Sequence, residues 1–280
     1  MPHPLSSSAQ PFSLPTMEKS IVVPQISGTV PTAGEISSLL QGVFGAKTSQ
    51  QSLDASYALA NVLIKSVGVR GLLSSSVYKY NVLPEIRKGT VDKKSGARRE
   101  SAMLILGALF ECFPREKPAS EAVFLIQDGG VLNLALDALA DKGVVVRDSA
   151  QYAIDALFSF LKPESMVNAL LPALLRYLGK GTGKWQGAVG AFALLERMAH
   201  KAKMGSGSKG EEREKDILRE AMGRTLKEVI PVVESGMHDL KTEVAKQATK
   251  AMSAVTTLIT NEDVIPRIPL LIKTDRKSVV

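Results

Sequence analysis

The chain has 280 residues, 45% of them hydrophobic but only 5% aromatic, so a sizeable core must be built from Leu, Ala, Val and Ile. Lys and Arg number 35 against 28 Asp and Glu, a net charge of +7 that predicts an acidic partner, RNA or an acidic protein face. The single cysteine, Cys112, excludes a disulfide framework and a Cys-rich zinc site, and no apolar run approaches the ~20 residues that span a bilayer.

Residues 1–31 hold six of the 14 prolines and the run Ser6-Ser7-Ser8, with no helical period, and read as a disordered tail. They lack a charged segment followed by an apolar one, so no secretory signal is expected, and they contain no Arg, which argues against mitochondrial import. From Thr32 onward helical spacing takes over: Ile36, Leu39, Leu40 and Val43, then Leu53, Tyr57, Leu59, Ala60, Leu63 and Ile64. No segment alternates with period two, so the chain reads as all-α.

Four segments align where one helix should end and the next begin. They start at Asp92, Asp141, Gly179 and Asp239, which are 49, 38 and 60 residues apart. Nine residues after each start stands a small residue (Ser101, Ala150, Ala188, Ala248), and thirteen after stands an apolar one (Ile105, Ile154, Phe192, Met252). The longest interval shrinks toward 40 when the polar stretch 204–216 is set aside as a flexible insertion. A period near 40 built of antiparallel helix pairs is the pattern of HEAT repeats, and predicts a HEAT/armadillo-type α-solenoid of about five pairs over residues 32–274. Pro84, Pro172, Pro231 and Pro269 recur in the first helix of successive pairs, where they bend it. The aligned starts also suggest a structural ladder. Asp92 with Arg98 and Asp141 with Arg147 keep both members, Asp239 keeps one, and Arg98 is expected to reach a neighbouring repeat's Asp.

Patterns that suggest chemistry fail on their surroundings. The run Gly179-Lys-Gly-Thr-Gly-Lys184 lacks the phosphate loop's first Gly, having Leu178 there, and its magnesium-binding Ser or Thr, having Trp185. The Gly205-Ser-Gly-Ser-Lys-Gly210 match to a dinucleotide fingerprint has no flanking strand. His3, His200 and His238 are far apart, no nucleophile elbow occurs, and His238 beside Asp239 reads as a turn. The expectation is a chain with no catalytic, cofactor or metal residues. Basic residues carry the stronger signal. Arg87, Lys88, Lys93, Lys94 and Arg99 surround one interhelical turn, and Lys142, Lys180, Lys184, Lys241 and Lys246 occupy equivalent turns later. Equivalent turns of a solenoid lie along one edge, so these charges form a stripe, and their recurrence at one phase favours an RNA- or ribosome-facing edge over ordinary solvated charge. Trp185, the sole tryptophan, is either an exposed contact on that edge or a packing residue.

Several stretches resemble the N-terminal HEAT region of fungal elongation factor 3-like ABC ATPases. They are Asp92-Lys-Lys-x-Gly-Ala-Arg98-Arg-Glu-x-Ala102, Ala138-Leu-Ala-Asp-Lys-Gly-x-x-Val-Arg147, Lys184-Trp-Gln-x-x-Val-Gly190 and Ser235-Gly-Met-His-Asp-Leu-Lys241-x-Glu-Val. Within that family the chain is most similar to the branch described as mRNA-export ATPases. The resemblance implies a ribosome-binding arm (RNA and proteins) of a longer cytoplasmic protein, with the nucleus as a second compartment. It also implies that ATP and magnesium belong to ABC cassettes lying C-terminal to the chain, which itself needs no small-molecule substrate and no membrane. The alternative is a generic protein–protein scaffold of HEAT type, a transport adaptor or translation-control scaffold. Residues 264–273 read as the first half of a repeat. The end, Asp275-Arg-Lys-Ser-Val-Val280, resembles a translated sequencing adapter, so 275–280 is expected to be a non-native tail.

Overall fold

In the computed structural model, residues 31–66, 82–113, 125–127, 130–180, 184–203 and 209–258 are described. Short polar side chains cap the helix starts at Thr32, Thr48 and Ser95. Thr32 accepts the backbone N–H of Glu35, whose carboxylate accepts the Thr32 N–H in return, a capping box that opens α1 (Ala33–Phe44), the partner of α2 (Ser49–Ser66). Next come α3 (Val82–Thr90) with α4 (Gly96–Cys112), and α5 (Val131–Ala138) with α6 (Val144–Phe160). Then α7 (Leu171–Gly179) pairs with α8 (Trp185–Lys203), and α9 (Lys209–Met237) with α10 (Thr242–Thr256). The five pairs contain no strand among the described residues, and together they are the predicted α-solenoid.

The repeat phase read from the sequence is the packing phase. Ser101, Ala150 and Ala248 are buried where second helices meet, as are Ile105, Ile154 and Phe192, while Ala188 and Met252 pack partly buried against the same core. Small residues let α4 lie against α2 on one side and α6 on the other, and α8 against α10. Between α6 and α8 the stack is thinner and is bridged at the surface, where Arg197 bonds Asp155 at 2.5 Å and lies 4.3 Å from the Phe158 ring.

The prolines act differently from one another. Pro84 stands in the first turn of α3, and Pro172 opens α7 after a π-helical turn, Met166–Leu170. Pro231 lies inside α9, where it removes one backbone bond. Pro269, the half-repeat at 264–273, the 1–30 part of the tail and the 275–280 end lie outside the described residues.

One expectation is corrected. The stretch 204–216 is not an excursion throughout, because α9 begins at Lys209 and residues 209–216 are helical. Its Glu-Glu-Arg-Glu-Lys run consists of strong helix formers with carboxylates near the helix start, so lost apolar burial does not mean lost helicity. Residues 204–208 lie outside the described ones.

Ser95 caps α4 alone, its hydroxyl accepting the Arg98 N–H at 3.1 Å. Ser95→Ala should therefore cost about 1 kcal/mol, a fall of roughly 2–4 °C in Tm by thermal denaturation. An unchanged Tm would show that α4 starts without this cap.

Candidate functional site

The loops joining first to second helices repeat one device. The Asp92 carboxylate accepts the N–H groups of Lys94 and Ser95 at 2.8 and 3.0 Å. Asp141 accepts that of Gly143 at 2.8 Å, and Asp239 that of Lys241 at 2.7 Å. Each aspartate thus folds its own turn, as short carboxylates do when they bond the backbone two residues on. These N–H bonds hold the Asp92 carboxyl below the usual carboxylate range.

The link between repeats runs through a residue other than the predicted one. Arg98 does not reach the next repeat: it lies 3.5 Å from Glu85 and 3.9 Å from Asp92 of its own pair, with its guanidinium 4.9 Å from the ring of Phe44 in the preceding pair. Arg99 crosses instead. Its Nε and Nη2 donate to the two Asp141 carboxylate oxygens at 2.5 and 3.1 Å, and its Nη1 donates to the Asp92 carbonyl at 2.7 Å. One residue turns a helix by about 100°, enough to point Arg98 back along its own repeat and Arg99 toward the next. Arg147 donates to the carbonyls of Asp141 and Lys142 at 2.8 and 3.2 Å, fastening its own loop rather than reaching a neighbour's Asp. Arg99 is only 9% exposed, so it is bound inside the protein and cannot serve as a free contact on the edge.

Three of the remaining basic residues converge. Lys93, Lys142 and Lys184, from three successive turns, line one groove of about 630 Å3 together with Asp137 and Asp141. Among the described residues none of these ammonium groups makes a hydrogen bond or ion pair with the protein, although the Lys184 charge helps to hold the Asp141 carboxyl below its usual range. The acids, by contrast, are occupied: Asp141 by Arg99, Asp92, which also lines the groove, by the N–H groups of Lys94 and Ser95, and Asp137 by the Tyr177 hydroxyl, which donates to it at 2.8 Å. The Tyr177 hydroxyl is pushed above the ordinary phenol range by burial and by that carboxylate. Tyr177 and Asp137 carry no repeat signal in the sequence, which is why they were not legible there while the lysines, Asp92, Arg99 and Asp141 were.

The other predicted contacts lie around it. Arg87 and Lys88 are exposed on the last turn of α3, Lys88 held 2.5 Å from Glu85. Lys94 and Lys180 are exposed in their turns, and Lys241 and Lys246 are exposed at the fifth pair, outside the groove. Trp185 is 39% exposed and lines a separate hollow of about 440 Å3 with Phe192, Pro231 and Val244.

Gly179 ends α7 and Trp185 opens α8, so the phosphate-loop likeness falls between two helices and follows no strand. His238 and Asp239 likewise close the turn after α9, their N–H groups donating to Ser235 and Gly236 carbonyls at 3.3 and 3.2 Å. Among the described residues no three His, Cys, Asp or Glu side chains are grouped to hold a metal, and no helix is long and apolar enough to cross a membrane.

The family model described as EF3 N-terminal HEAT repeat matches residues 54–208. NU+ prion formation protein 1 of Saccharomyces cerevisiae is 27% identical over 95% of this chain. The mRNA export factor elf1 of Schizosaccharomyces pombe is 28% identical over 85% of it, and Elongation factor 3 of Mycosarcoma maydis 29% over 78%. The chain spans 22%, 20% and 18% of those three proteins, about a fifth of each. With more than half its length matched and paired helices throughout the described residues, the chain belongs to the EF3 N-terminal HEAT repeat family.

Proposed function

We propose that this chain is the non-catalytic HEAT arm of a longer EF3-like ABC ATPase and that its turn edge contacts ribosomal RNA. The observation that carries this reading is the groove lined by Lys93, Lys142 and Lys184, whose ammonium groups make no hydrogen bond or ion pair among the described residues while the neighbouring acids are bound internally. Ammonium groups spaced along one edge suit a phosphate backbone, which is read by charge rather than by base identity. Lys94, Lys180, Lys241, Lys246, Arg87 and Lys88 extend the same edge, and Trp185 offers a stacking surface beside it. Relatives named for elongation and for mRNA export support a setting in translation or export, in the cytoplasm or nucleus. ATP and magnesium would then be handled by cassettes that do not belong to this chain.

Changing Lys93, Lys142 and Lys184 together to Ala tests this reading with purified ribosomes. Three phosphate contacts of about 1 kcal/mol each at low salt predict a loss of roughly a hundredfold in affinity and a flatter salt dependence. Lys162, Lys227 and Lys250, exposed away from the turn edge, make the matched control. Equal binding by both triples would reduce the stripe to solvated charge and favour the protein–protein scaffold.

A further inference from the structure

On the other side of the α4 start lies a groove of opposite character. Leu53, Leu104, Val145 and the Tyr152 ring form its walls, and Glu100 and Asp148 supply its acids, in about 170 Å3 between α2, α4 and α6. That is about the size of one long side chain. Glu100 is 8% exposed, yet among the described residues its carboxylate has neither a hydrogen bond nor an ion pair. Ser49 brings one hydroxyl to the groove, but the stronger nearby donors are committed elsewhere. The Gln50 amide donates to Asp54 at 2.8 Å, the Ser149 hydroxyl to the Val145 carbonyl at 2.8 Å, and Arg99 to Asp141. A buried charge without a partner costs several kcal/mol, so its retention in a protein of net charge +7, with cations to spare, points outward.

The geometry points to a binding site for the arginine or lysine side chain of an extended basic peptide, its apolar stem between Leu53, Leu104 and Tyr152 and its charged tip on Glu100, with Asp148 at the mouth. Such side chains have an apolar body and a cationic end, which matches apolar walls closing on a carboxylate. Arginine fits best, because its planar fork can engage both oxygens of one carboxylate. The exposed Val144 and Val145, 58% and 50% accessible, give the peptide backbone an apolar rim. A divalent ion is a poor match, since it needs about six oxygen ligands and no third acidic or His side chain joins these two. Nucleic acid is excluded by sign, because two unpaired carboxylates repel phosphate. The site is independent of the lysine groove and of the ribosome reading.

The test is an NMR titration of the whole chain with the peptide Gly-Arg-Gly-Arg-Gly and its citrulline counterpart, which keeps shape and loses charge, up to about 5 mM. The arginine peptide should shift resonances at the starts of α2, α4 and α6, and the citrulline peptide should bind at least tenfold more weakly. Glu100→Gln should weaken arginine binding at least tenfold and Asp148→Asn a few-fold, while Glu243→Gln, in the first turn of α10, should leave it unchanged. Removing an unpaired buried charge should also leave the Glu100→Gln Tm equal to or above that of the unmodified chain, which separates lost binding from lost folding. Equal binding of the two peptides, full binding by Glu100→Gln, absence of any shift, or displacement of the arginine peptide by a single-stranded RNA would each overturn the site.

Discussion

Replacing Arg99 by Ala should lower the unfolding free energy by about 3 kcal/mol, the range expected when one partner of a buried ion pair is removed. The side chain ties three elements together: the turn at Asp92, the start of α4 and the turn of the next repeat at Asp141. Truncation leaves the Asp141 carboxylate with the Gly143 N–H and the more distant Lys184 charge, and the Asp92 carbonyl loses a charged donor. Arg99→Lys should recover only part of the loss, because an ammonium cannot span both carboxylate oxygens. Urea unfolding of Arg99→Ala, Asp141→Ala and the double variant gives the coupling directly, and single losses that simply add would refute an inter-repeat bond. The pH dependence has a definite sign. The hydrogen bond from Arg99 is the main cause holding the Asp141 carboxyl below its ordinary range. Its contribution is therefore present above the unfolded aspartate value of about 3.9 and lost as pH falls through the lower folded one. The stability gap between the unmodified chain and Arg99→Ala should be full at neutral pH and close as the solution becomes acidic below about pH 4.

The solenoid was legible in the sequence because its packing uses residue size, and size is written in the residues themselves. Ser101, Ala150 and Ala248 are small where second helices touch, and Ile105, Ile154 and Phe192 fill the adjacent layer. The same repeat reading puts basic residues in successive turns, of which Lys93, Lys142 and Lys184 line one groove, whereas Lys180, the phase equivalent of Lys93 and Lys142, lies outside it. What depends on rotation between repeats was not legible. Arg98 and Arg99 are neighbours of identical chemistry, and only the angle at which α4 meets α6 decides which one meets Asp141. Burial of a charge is hidden for the same reason: in the sequence Glu100 extends a charged Arg-Arg-Glu run, while in the fold it forms the floor of a groove. The stretch 209–216 was misread because composition reports how much a segment can bury, not whether its backbone stays helical.

Gly107→Ala should destabilise the chain by about 2–3 kcal/mol, although helix propensity alone predicts a gain of about 1. Gly107 sits in the middle of α4, where an exposed glycine would be a weakness. Here it makes room for the Tyr152 ring from α6. A β-carbon would stand 2.5 Å from Cδ1 and 2.9 Å from Cζ of that ring, and closer still to Cε1. The ring cannot simply swing away, because its hydroxyl is 2.9 Å from that of Tyr57, which in turn donates to Glu111. With the single Tyr57 proton given to Glu111, Tyr152 is the donor to Tyr57. Burial raises both phenols above their ordinary range, so the two hydroxyls keep their protons through neutral pH. A methyl group must therefore push α4 from α6 or break a buried hydroxyl bond, and each of these costs about 1–3 kcal/mol. Gly223 in α9 is the contrasting site, since nothing lies within 4 Å of its missing β-carbon. Gly223→Ala should stabilise by about 0.5–1 kcal/mol in the same urea series. Combining Gly107→Ala with Tyr152→Ala separates crowding from helix propensity: once the ring is gone, the added methyl should become neutral or favourable. If Gly107→Ala stabilises the unmodified chain as much as Gly223→Ala does, α4 and α6 do not approach closely enough for glycine to matter there.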